Sequence, residues 1–147
     1  MSAFADITDA VRDKLLEAPA LAGGRVWRGR IKPLAAEHST AIVVRILQAP
    51  AQAMLVGGPV QWESLIAVDC MARAAVGVDP EDAVDPLLAD VYARLITAGR
   101  ISAGVMDTGA NPAIEWDFGD ADTAFATATL TLRVAHQTQP DSLAAWT

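Results

Sequence analysis

At 147 residues and 15.4 kDa the chain has the size of one domain, able to bury roughly 70% of its unfolded surface without disulfides or metal. A net charge of -7 and a pI near 4.6 exclude a general nucleic-acid binder, which needs a cationic face to neutralise phosphates. A hydrophobic fraction of 52% and mean hydropathy of +0.28 are high for so small a monomer, yet the apolar runs are far too short to span a bilayer, so the surplus points to contacts between subunits.

The first residues turn acidic at Asp6 and lack a basic segment followed by an apolar core, so no signal peptide is expected. Phe4, Ile7, Val11 and Leu15 recur at helical spacing behind Ser2 as N-cap, and Pro19 with Gly23 and Gly24 stops the pattern. Residues 25–32 alternate as a half-buried strand, with Trp27 on one face and Arg28, Arg30 and Lys32 forming a cationic outer face with Val26 on the other. Residues 40–48 are β-branched and apolar on both faces apart from Arg45, as in a central strand that Pro50 ends. Residues 51–59 read as an apolar loop, Met54, Leu55 and Val56 preceding Gly57, Gly58 and Pro59. Residues 60–74 resume a long alternation, with Val60, Trp62, Ile66, Val68, Cys70 and Ala72 on the core face. Cys70 has no second cysteine to pair with, which suggests a cytosolic folding compartment.

A second helix carries Val84, Leu87, Leu88, Val91 and Leu95 on one stripe, starting at Asp79, bending near Pro86 and closing at Gly99. Residues 101–107 and 113–118 form two shorter strands around a turn at Gly109, Ala110, Asn111 and Pro112, and Asp120 to Asp122 make another turn. Residues 123–137 give the cleanest alternation: Ala126, Ala128, Leu130, Leu132 and Val134 against Thr127, Thr129, Thr131 and Arg133. This order, with no repeating βα unit, predicts an α+β fold: an antiparallel or mixed sheet with two helices on one face. It is read as a single domain over residues 1–137 followed by a tail, 138–147, ending near Trp146.

No catalytic constellation emerges. His38 and His136 lie apart from any carboxylate pair, and Ser64 has no nucleophile-elbow context. The acidic group Asp79, Glu81, Asp82 and Asp85 complements a helix start, and Asp117, Asp120 and Asp122 lack the flanking pattern of a calcium loop, so neither metal nor cofactor is expected. The four tryptophans read as core or interface anchors, and the basic strip as a solvated face first, which in an acidic protein could also receive the acidic surface of a second copy.

Taken together, the N-terminal helix, the strand around Arg25, Val26 and Trp27, the apolar strand Ala41 to Val44, the long strand from Trp62 to Ala72, the Asp-rich helix and the final Thr-rich strand resemble the tail terminators of long-tailed bacteriophages, the family of the lambda minor tail protein U. The resemblance implies a non-enzymatic virion protein, assembled in the host cytoplasm. It would form a homo-hexameric ring that caps the major tail tube protein, stops its polymerisation and offers a head-tail joining surface to the connector or neck proteins. DNA would pass through the ring without sequence-specific contact, and no membrane is involved. The family's extended loop corresponds to residues 52–61. The interface set is therefore Arg28, Arg30, Lys32, Met54, Leu55, Val56 and Trp146. Two other readings stand beside it: a head-completion or neck adaptor ring, and a small-ligand-binding domain with Trp62 and Trp116 lining a pocket.

Overall fold

The structure, a computed structural model, describes residues 1–29, 38–54, 56–118 and 125–147, with backbone alone at Ala53, Ala110 and Phe125. Its elements are α1 (Ala3–Leu16), a 3-10 turn (Leu21–Gly24), β1 (Val26–Arg28), β2 (Thr40–Gln48), β3 (Ala51–Met54), β4 (Val60–Arg73), α2 (Pro80–Ile96), β5 (Val105–Phe118) and β6 (Phe125–Thr138). The strands form one mixed sheet in the order β1-β2-β4-β6-β5, with β3 added beside β4. Only β1, parallel to β2, departs from antiparallel pairing. The fold is α+β, as the alternation and the two amphipathic stripes predict.

Both helices pack on one face of the sheet. On α1, Ser2 accepts a hydrogen bond from the Ala5 amide at 3.4 Å, and Ile7, Val11 and Leu15 are fully buried. On α2 the expected stripe Val84, Leu87, Leu88, Val91 and Leu95 is buried. These side chains meet alternate residues of the strands: Ile42 and Val44, Ile66 to Ala72, and Ala126 to Val134. Pro86 lies inside α2 on its exposed side, where the carbonyl it leaves unpaired can reach water. The opposite, open face is mostly polar, with one small apolar cluster of Ala41, Val43 and Met71 under Trp27.

Three local expectations change. Residues 51–59 are not all loop: β3 pairs Ala51 with Trp62 and Met54 with Val60, so the segment is one arm of a hairpin. The turn expected at Gly109 to Pro112 does not form; β5 runs through it as a single strand, absorbing these residues in register shifts between Val105 and Ala113. Gly109 at φ 96° and Asn111 at φ 47° supply the left-handed conformations, and an edge strand tolerates a proline that cannot donate. Arg28 does not share an outer face: it lies on the side of buried Val26, toward α1, with its Nη1 donating to Asp9 Oδ1 at 3.1 Å. The turn expected at 120–122 lies outside the described residues.

β4 and β6 are paired over their whole length, from Val60 opposite Thr138 to Arg73 opposite Phe125. The first residue of β4, Val60, and the first residue of β6, Phe125, therefore lie at opposite ends of this ladder. Beyond Thr138 the chain folds back at the first of these ends: Trp146 N donates to Gln137 O at 3.0 Å, and Leu143 O accepts the Ala3 amide of α1 at 2.8 Å.

Candidate functional site

The residues singled out from sequence do not form one cluster. Met54 and Val56 flank the β3–β4 turn; Met54 is 71% exposed and Val56 fully so. Trp146 lies at the same end of the sheet, half-buried beside Gly104 and Gln137, where it lines a hollow of about 360 Å³. Arg28 stands apart on the β1 edge and is engaged: Asp9 is shared between it and Arg12, at 3.1 and 3.2 Å. Arg30, Lys32 and Leu55 lie outside the described residues.

Trp62 and Trp116 line no common pocket. Their partners on β6 are His136 and Ala128, eight positions apart and so about 26 Å along the strand. The ligand-pocket reading built on that pair therefore fails. Trp62 belongs to a packed cluster instead: its Nε1 donates to Thr138 Oγ1 at 2.8 Å, and Phe4 stands edge-on to both the Trp62 and His136 rings, with centroids 5.3 and 5.1 Å apart.

A Ser-His contact that sequence separation conceals lies in this cluster. Ser64 Oγ and His136 Nε2 share a hydrogen bond of 2.7 Å. Burial pushes the imidazole pKa down to about 4, so the ring is neutral at physiological pH. Both side chains are wholly buried, and Nδ1 has no hydrogen-bond partner among the described residues to orient the ring as a general base. A nucleophile sealed from solvent cannot meet a substrate, so the pair acts as core polar packing rather than as a catalytic dyad.

The open face carries a cross-strand network instead. Asp69 accepts from Arg45 Nε at 2.7 Å, from Arg45 Nη2 at 3.1 Å and from Thr129 Oγ1 at 2.6 Å, tying β2, β4 and β6 together. The hydrogen bond from Arg45 to Asp69 is the main cause of a raised Arg45 pKa. Arg133 and Glu63 add a looser pair at 3.5 Å. Among the described residues no group of His, Cys, Asp or Glu is placed to hold a metal ion, and no helix is long and apolar enough to cross a membrane.

Exposed apolar side chains are the more informative surface, and several escape a sequence reading. Ile46 and Leu47 protrude at the end of β2, Trp116 and Phe118 at the end of β5. The latter two share the helix-side face, since their partners Ala128 and Ala126 are core residues, but they stand on the strand at the edge of the sheet and remain about half exposed.

No protein-family model matches the sequence, and no curated protein matches it significantly. The fold does match a solved one. A chain in the virion of a native gene transfer agent (GTA) particle superposes with a TM-score of 0.62 at 16% identity, covering 92% of this chain and 97% of that one. At this identity the likeness is one of fold.

Proposed function

We propose that this chain is a non-catalytic structural subunit of a tailed-phage-like particle, a tail terminator that forms a ring, six-fold by family resemblance, on the last ring of tail-tube subunits. The observation that carries the reading is the end-to-end fold match to a chain of a gene transfer agent virion. Two further features support it. Met54 and Val56 are exposed on a hairpin turn, where covering each would contribute roughly 1.5–3 kcal/mol to an assembly. The Ser64–His136 pair, the nearest thing to catalytic machinery in the described residues, is sealed in the core.

In this role the chain arrests tube polymerisation and presents a joining surface to the connector or neck proteins of the head. The test is a capping assay: purified protein added to polymerising tail-tube subunits shortens the tubes and appears as a single terminal ring by electron microscopy. Protein found on isolated head connectors and never on tubes would replace this reading with a neck adaptor.

A further inference from the structure

Two unmatched charged features lie at opposite ends of the sheet. At the Thr138 end, Arg100, Ser102, Met106, Gln137 and Trp146 line an open hollow of about 360 Å³. The other lysines and arginines among the described residues are all engaged, whereas Arg100 has neither an ion pair nor a hydrogen bond there. The Trp146 Nε1 and the Gln137 side-chain amide are likewise without a partner among the described residues. The hollow therefore gathers three unused donor groups, one of them charged, beside an indole and a methionine that is 36% exposed.

At the other end, beyond Arg73, the chain makes a turn before α2. Val78 N donates to Ala75 O at 3.0 Å, which leaves Val76 at the tip fully exposed and Val78 about half so. Asp79, Glu81, Asp82 and Asp85 follow, all exposed and none in an ion pair among the described residues, and no lysine or arginine occurs between positions 74 and 93. Asp79 is the N-cap of α2, yet its side chain makes no capping hydrogen bond, so its carboxylate is left to accept from elsewhere. The helix dipole accounts for acidic residues in a first turn, but not for a bare valine projecting ahead of them.

We propose that the hollow of one subunit receives the turn before α2 of the next copy, with Val76 against Trp146 and Met106 and the carboxylates of Asp79 and Asp82 at Arg100. The guanidinium fork matches a carboxylate, and the indole offers a rigid apolar wall to the valine. Charge selects this pairing over its alternatives. Hollow against hollow would set Arg100 against Arg100, and turn against turn would oppose the acidic groups, both repulsive. The two surfaces differ, so the contact is head-to-tail and propagates until it closes.

A subunit cannot make this contact with itself. Gln137 pairs with Gln61, twelve positions before Arg73 on β4, so the two surfaces lie on the order of 40 Å apart along the strands. The contact also leaves the hairpin turn to its own role. Met54 and Val56 stand at the same end as the hollow but on the β3 flank, with β4 and β6 between them and β5, and so remain available to the tail tube.

The proposal rests on the ring reading above, and its test separates the two. Wild-type protein is first weighed by light scattering over a concentration series, with and without tail tubes. Arg100→Glu is expected to raise the concentration needed for assembly at least tenfold, and Asp79→Lys/Asp82→Lys to do the same. The variant carrying all three changes should assemble near the wild-type concentration, a recovery that altered folding of α2 cannot produce. Val76→Cys/Ala103→Cys, treated with a short bis-maleimide, should give a ladder of covalent multimers ending at the ring mass, with none from either single variant. Cys70 stays silent because it is fully buried and its thiol is pushed up to about 12. Wild-type rings with no ladder and no recovery by the charge swap would overturn this contact and leave the ring reading standing. Rings of Arg100→Glu that form normally but no longer cap tubes would make the hollow a seat for the tube subunit, and covalent dimers from Ala103→Cys alone would show hollow meeting hollow; either overturns the proposal. A wild type that stays monomeric throughout would overturn both.

Discussion

His136→Gln tests whether the buried imidazole makes the fold acid-sensitive. The ring is fully buried and its pKa falls from 6.5 to about 4 on folding, because desolvation disfavours the charged form. As pH drops below 6.5 the unfolded chain takes up a proton that the folded chain refuses. Stability is therefore lost progressively until the folded pKa is reached near 4, and no further below it. At 1.36 kcal/mol per pKa unit this loss amounts to roughly 3 kcal/mol, a large share of the 5–15 kcal/mol typical of a domain. Glutamine keeps a polar group near Ser64 but does not titrate. Urea unfolding of both proteins at intervals from pH 7.5 to 4 gives the comparison, since the carboxylates titrate alike in each and cancel in the difference. The wild type's stability relative to the variant should fall by about 3 kcal/mol over this range. A difference independent of pH would refute the assignment of His136 as a buried neutral base.

Arg94 donates to the Leu15, Glu17 and Pro19 carbonyls at 3.1, 2.9 and 2.9 Å, capping α1 from the side of α2. Arg94→Ala should cost about 2–3 kcal/mol in urea unfolding, and Arg94→Lys less, because an ammonium cannot span the same carbonyls. Met54→Ser/Val56→Ser should leave the monomer's stability within about 0.5 kcal/mol, as exposed sites do, while weakening tube capping; equal losses in both assays would return these side chains to the subunit's own core. Cys70 should react with an aromatic disulfide reagent only as fast as the chain unfolds, and rapid labelling of native protein would contradict its burial.

The elements that alternation or a helical stripe defines by itself, α1, α2, β4 and β6, were legible because each buries one continuous face. The departures arise where a distant partner overrides a local signal. Gly109 to Pro112 reads as a turn, but fourteen residues of β6 offer a ladder that carries the strand through with bulges. The segment starting at Ala51 lies between a proline and paired glycines, yet β4 is there to receive it. Arg28 looks solvated because Asp9 comes from a helix nineteen residues earlier, and the Ser64–His136 bond spans 72 residues. Trp116 and Phe118 follow the same alternation as core residues, so their exposure has no local signature. It comes from their place on an edge strand: Ala128 and Cys70, level with Trp116, and Ala126 and Ala72, level with Phe118, are buried, whereas β5 has no described strand beyond it. Of the exposed apolar side chains, Met54 and Val56 were recognisable as apolar residues beside glycines, whereas Trp116 and Phe118 required the sheet order.

The fully registered pairing of β4 with β6 also has a mechanical meaning. Their hydrogen bonds lie across the strands, and the first residues of the two strands, Val60 and Phe125, lie at opposite ends of the ladder. A load applied between those ends acts along the strands and strains all fourteen pairings at once, so they yield in shear as a group instead of unzipping singly. Compression along the same line is resisted by a sheet stiffened on one side by two helices and braced on the other by the Arg45–Asp69–Thr129 tie. The sheet is thus built as a short strut, stiffest along the direction of its longest strands.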